Sequence, residues 1–203
     1  MKSTVLSLAL ITATLSLPAT ATTLDYGVPL SGTGPTTQFA TLSYSQIGDG
    51  DDWVFVLAAA DLSSVFSASG AFIGSIAVDA PGAEGANYAG GLALTNVVGG
   101  VATVEARNGG GPGGAFDFRI VLGAGADRLT GNESVGWTWM DSGYASFTQL
   151  ALHVQGLSGN TGGNSDSVWY LPTPVPEPGT VLLMLAGCAA LAGRVWRRTA
   201  AGG

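Results

Sequence analysis

The stretch AFDFRIVL, residues 115–122, alternates without a break: Phe116, Phe118, Ile120 and Leu122 on one side, Asp117 and Arg119 on the other. Only the pleat of a strand puts residues two apart on one face, so this segment is read as a strand with one face in a core. The same period runs through SVGWTWM at Val135, Trp137 and Trp139, and through FTQLALHVQ at Leu150, Leu152 and Val154. Weaker versions are WVFVLAA from Trp53, AFIGSIAV from Ala71, GLALTNVV from Gly91, VATVEA from Val101 and VWYL from Val168. Turn chemistry separates them: GDGDD before Trp53, APGAEG from Ala80, NGGGPGG over 108–114 and GLSGNTGGNSDS before the last strand. Glycine makes up 32 of 203 residues, more than double the usual share of roughly 7%. No segment carries a helical period, although AADLSSVF around Asp61 suits one turn of helix. Seven or eight short strands with such turns predict an all-β fold, an antiparallel β-sandwich of jelly-roll type. No fixed-period repeat is present, which argues against a β-solenoid.

Charge narrows the partners. Only 10% of residues are charged, against about 25% in an average soluble domain. Between residues 22 and 178 stand three Arg and no Lys, together with all 14 acidic residues. So acidic a surface repels phosphate backbones, and no nucleic-acid partner is expected. The single cysteine, Cys188, lies near the C-terminus, so the body has neither a disulfide nor a thiolate metal site. At roughly 150 residues it is large enough to rely on its core instead.

Both termini read as addresses. MKSTVLSLALITATLSLPATA has Lys2 as a positive start, an apolar stretch over 5–17, a break at Pro18 and an Ala19-Thr20-Ala21 cleavage site. These are the parts of a secretory signal peptide, cut after Ala21 to leave Thr22 as the new N-terminus. At the other end Pro172, Pro174, Pro176 and Pro178 favour an extended spacer. Residues 181–193 follow as 13 uncharged positions, roughly 20 Å of helix against a hydrocarbon core of about 30 Å. Val195 and Trp196 lengthen this run, and Arg194, Arg197 and Arg198 form a basic tip that stays cytoplasmic. The expected layout is a signal peptide over 1–21, an exported sandwich over 22–171, a proline-rich stalk over 172–179, and a single transmembrane helix with its tip over 180–203.

Val175-Pro176-Glu177-Pro178-Gly179, the apolar run and the three arginines together resemble a PEP-CTERM protein-sorting tail. The same tail is also called an ice-binding protein C-terminal domain, a label that belongs to the tail and not to the body. The resemblance implies that Pro176, Glu177 and Pro178 are recognised by an exosortase, a membrane-embedded transpeptidase-like enzyme. It implies a transient inner-membrane anchor in a Gram-negative bacterium, then delivery to the cell surface or its exopolysaccharide matrix. FDFRIVL, GADRLTGNESVGWTW, LHVQGL and SVWYLP also resemble the second half of other exported proteins with this tail. That likeness implies a shared fold unit.

The body offers little for catalysis. His153 is the one imidazole, it has no cysteine partner and no G-x-S-x-G elbow, and alternation puts it opposite Leu150 and Leu152 with Gln149, Ala151 and Gln155. It reads as a surface or structural histidine, no zinc site is expected, and the protein is expected not to be an enzyme. Close carboxylate pairs that could hydrolyse glycosides arise readily among so many acidic residues and carry little weight. Asp49, Asp51 and Asp52 place carboxylates on a glycine-flexible loop, which suits calcium, although the twelve-residue EF-hand spacing is absent. Trp53, Trp137, Trp139 and Trp169 are candidates for stacking on sugar rings, with Trp137 and Trp139 expected in the core beside Val135. Asn132-Glu133-Ser134 matches a glycosylation sequon and is read as a turn. The role expected for the body is structural or adhesive; the alternatives are a carbohydrate-binding module and, behind it, a small glycan hydrolase.

Overall fold

The computed structural model describes residues 21–31, 33–48, 50–83, 89–157 and 166–174. The expected signal peptide up to residue 20, the sorting motif, the anchor and Asp49 lie outside them. Among the described residues no helix is long and apolar enough to cross a membrane.

Ten strands make up the body: β1 (Thr22–Ser31), β2 (Ala40–Gln46), β3 (Trp53–Ala59), β4 (Phe72–Asp79), β5 (Ala89–Val98), β6 (Val104–Asn108), β7 (Phe118–Leu122), β8 (Ser134–Trp139), β9 (Gln149–Gln155) and β10 (Ser167–Pro174). All neighbours are antiparallel, in the order β1-β10-β9-β4-β7-β6-β5-β8-β3-β2, and β1 pairs with both β10 and β2. The sheet is therefore a closed barrel, which corrects the expected sandwich of seven or eight strands. Two strands absent from the sequence pattern, β1 and β2, make the difference. Without them β3 and β10 would be open edges; with them every edge is paired.

Alternation sorts the side chains as the pleat requires. Phe118, Ile120 and Leu122 of β7 are buried, as are Leu150, Leu152 and Val154 of β9 and Val168 and Tyr170 of β10. Phe55 and Trp137, opposite one another on β3 and β8, stack inside the barrel at 5.1 Å and 7°. One end is plugged by the helix α1 (Leu62–Phe66), the turn expected near Asp61. Asp61 caps it by accepting from the Ser64 N–H, and Phe66 meets Phe39 and Tyr170 edge-on. The opposite end gathers the start of β1, the end of β10, and the β2–β3 and β8–β9 turns.

The wall is incomplete where β9 and β10 diverge. β9 and β10 pair from Ser167↔Gln155 to Tyr170↔Leu152 and then part, although both strands continue. Pro172, which has no N–H, stands where the register would meet Leu150. The Tyr26 hydroxyl fills in, donating to the Leu150 carbonyl at 2.9 Å. Burial, with neighbouring Tyr44 adding to it, pushes the Tyr26 pKa well above the usual phenol value, so the group stays a donor at neutral pH. Beyond it a cavity of about 290 Å³ is lined by Leu24, Tyr44, Phe147, Leu150, Leu171 and Pro172, with Thr148 and Gln149 as its polar members. β10 thus runs past Leu171 to Pro174, so the first two of the four alternating prolines are strand residues.

Tyr26→Phe removes only the hydroxyl and leaves the ring in place. The expected loss is about 1–3 kcal/mol of stability, the penalty for a buried carbonyl without its donor, read as a lower urea midpoint at unchanged slope.

Candidate functional site

Carboxylates converge at the end of the barrel from which β10 leaves. Trp53 of β3 faces Trp139 of β8, so the residues flanking them, Asp51, Asp52 and Asp141, come together across the two strands. One ligand oxygen from each lies within 4.8 Å of the others. Asp52 Oδ1 accepts from the Asp141 N–H at 2.7 Å, and Asp51 Oδ2 accepts from the Gly143 N–H at 2.6 Å. Ser142 Oγ donates to the Asp51 carbonyl at 2.5 Å. Asp141 takes a left-handed φ of 49° to close this turn. Two of the three carboxylates therefore pin the β8–β9 turn to the β2–β3 turn. An all-oxygen cluster of this kind suits a hard cation with remaining ligands from carbonyls and water. Of the residues expected there, Asp51 and Asp52 take part and Asp49 lies outside the described residues. Asp141 was not foreseen, because 89 residues separate it from Asp52 and only the β3–β8 pairing joins them.

The tryptophans divide. Trp53, Trp137 and Trp139 are buried, and Trp53 Nε1 donates to the Tyr144 carbonyl at 2.9 Å. They belong to an aromatic cluster with Phe55, Tyr144 and Phe147 and offer no stacking surface. Trp169 differs: it points outward from β10 and lies parallel to His153 of β9, its register partner, at 4.1 Å and 3°. Beside this pair Phe116 covers Ala77 and Ala151 in a second, small apolar cluster outside the barrel, against which Trp169 and Leu171 pack. The glycine-rich segment before Phe116 lies tight on the sheet. A Cβ on Gly111 would stand 2.7 Å from the Phe116 ring and 2.8 Å from Ala77 Cβ.

His153 is half-buried on the outer face, as its alternation with Leu152 and Val154 demands. Burial first, and the Arg119 guanidinium second, lower its pKa to about 4. A cation is the opposite of the carboxylate that orients a catalytic histidine, so the geometry marks a neutral aromatic partner for Trp169. Asn132 takes a positive φ of 62°, and Glu133 Oε2 accepts from the Thr130 N–H at 2.7 Å, so the sequon is a capped turn.

The chain matches a family model at residues 174–198, the PEP-CTERM protein-sorting motif. The match begins at Pro174, the last residue of β10, and takes in Pro176, Glu177, Pro178, the apolar run and all three terminal arginines. The body is thus an all-β barrel whose last strand runs in the sequence straight into a sorting motif. No curated protein and no solved structure matches the chain. The motif implies recognition by an exosortase-type enzyme, with export, processing at a membrane and passage to the surface.

The His153 shift has a sign that can be tested. Its folded pKa of about 4 lies below the ordinary histidine value of 6.5, so between these values the unfolded chain binds the extra proton. Stability is constant above pH 6.5 and falls as pH drops toward 4. His153→Gln is expected to flatten that limb of a melting-temperature profile while leaving the carboxylate limb below it.

Proposed function

We propose that this is a non-enzymatic surface protein, sorted to the cell envelope or an exopolysaccharide matrix of a Gram-negative bacterium, whose barrel plays a structural or adhesive part. The observation that carries the reading is the sorting motif abutting the last strand. Thr22 opens β1, so cleavage after Ala21 would remove the signal peptide without cutting into the barrel. Pro176, Glu177 and Pro178 serve as the recognised residues, and Arg194, Arg197 and Arg198 hold the apolar run in the inner membrane until processing. The test is fractionation of the host with intact-mass measurement, with and without the exosortase. The expected result is a chain lacking its signal peptide and tail in the surface fraction only when the enzyme is present. A full-length tail in the inner membrane under both conditions overturns the reading.

A carbohydrate-binding role is favoured by one feature, the outward Trp169 stacked on His153. On that reading Trp169→Ala abolishes retention on an immobilised polysaccharide from the host matrix, and equal retention of both proteins counts against it.

Calcium remains a proposal for the Asp51, Asp52 and Asp141 cluster, supported by the third carboxylate that the fold brings in. Millimolar calcium is then expected to raise the melting temperature, and Asp141→Asn to remove that rise. A melting temperature indifferent to calcium and EGTA rules the site out.

A further inference from the structure

The sorting motif follows the last strand in the sequence too closely to be gripped while the end of that strand stays paired. Val175 is the single residue between Pro174, the end of β10, and Pro176. Two residue steps reach at most about 7 Å. Packed sheets keep about 10 Å between their backbones, and the wall of an enzyme cleft meets the same steric limit. An extended peptide also fills a cleft on both sides of its recognised residues. Residues upstream of Pro176 must therefore be free of the barrel when the motif is bound.

The end of β10 is built to come free. Its pairing with β9 stops at Tyr170↔Leu152, so the backbone of residues 171–174 pairs with β1 alone, and beyond that the Leu171 side chain rests on the small outer cluster of Ala77, Phe116 and Ala151. Two of those four, Pro172 and Pro174, have no N–H to donate. The β1 register is broken by a bulge between Tyr26 and Val28, opposite Pro172 and Leu171. Leu171 and Pro172 line the pocket of about 290 Å³, so part of their surface has no packing to lose when the strand lifts. The Leu150 carbonyl already takes its hydrogen bond from Tyr26, so it loses no donor when β10 lifts. Such a segment belongs to the low-stability end of local opening.

We propose that residues 171–174 peel from β1 and enter the exosortase-type enzyme as an extended strand together with Pro176-Glu177-Pro178. The end of β10 is on this view part of the enzyme's docking surface as well as part of the barrel. The inference rests on the sorting reading and adds to it a strand that changes partners.

A disulfide across the strand pair tests it. Asp25 and Thr173 are direct register partners on the outer face, and Asp25→Cys with Thr173→Cys, in a Cys188→Ser background, would tie β10 to β1. In the intact host the oxidised full chain is expected to be processed about tenfold or more slowly than either single-cysteine chain, since cleavage of an opened state follows its population. Two arms separate a lock from a damaged protein. Dithiothreitol should restore processing, and so should a spacer of about six Gly/Ser residues placed after Pro174 with the disulfide still closed. Equal processing of locked and unlocked chains overturns the inference and leaves the sorting reading intact. Failure of dithiothreitol and of the spacer to restore a slowed chain also overturns it. A parent chain whose mass is the same with and without the enzyme removes the sorting reading and this inference with it.

Discussion

Everything in the body depends on the pairing of β1 with β10. These are its first and last strands, and their register from Leu24↔Pro174 to Ser31↔Trp169 converts an open sheet into a barrel. An open ten-stranded sheet would leave two rows of unpaired backbone groups as templates for aggregation. Closure removes both in a body that has no cysteine to staple it. It also encloses one apolar interior, so the same hydrogen bonds that satisfy the edges keep Phe55, Trp137 and Tyr26 out of water.

The expected signal peptide and the sorting motif border these same two strands in the sequence. The chain enters the barrel at Thr22 and leaves it at Pro174, which are neighbours at one end. Closure strength and access to the sorting motif are thus set by one stretch of backbone. Most of β10 has a neighbour on each side. Its last four residues pair with β1 alone, include two prolines and border a pocket, while Leu171 rests on the outer apolar cluster and the Tyr26 hydroxyl takes up the Leu150 carbonyl. The carboxylate cluster stands at this end too, where it ties two turns together.

Much of the fold was legible because alternation is a local property. The strands around Trp53, Phe118, Trp137 and Leu152 could be read from a few residues each, and so could the helical turn at Asp61. β1 was missed because Gly27 and Pro29 interrupt its period. β2 was missed although Ala40, Leu42 and Tyr44 do alternate with Thr41, Ser43 and Ser45. Its outward positions are hydroxyl residues rather than charges, which weakens the contrast between its faces. Losing those two strands turned a barrel into a sandwich. At the candidate sites the same division holds: Trp139 and Val135 predicted their own burial, whereas nothing near Trp169 announced that His153 would lie flat against it.

The chain by itself determined its β character and its sorting motif. The first is written in a period of two and the second in a contiguous tail, and neither requires knowing what touches what. Only the tertiary structure decided that the sheet closes, that Asp141 joins Asp51 and Asp52, and that β9 and β10 part before their ends. The reason is that strand pairing is non-local. A strand's sequence sets which face is buried, but its neighbours are chosen by the register, the connections and the packing of the whole sheet.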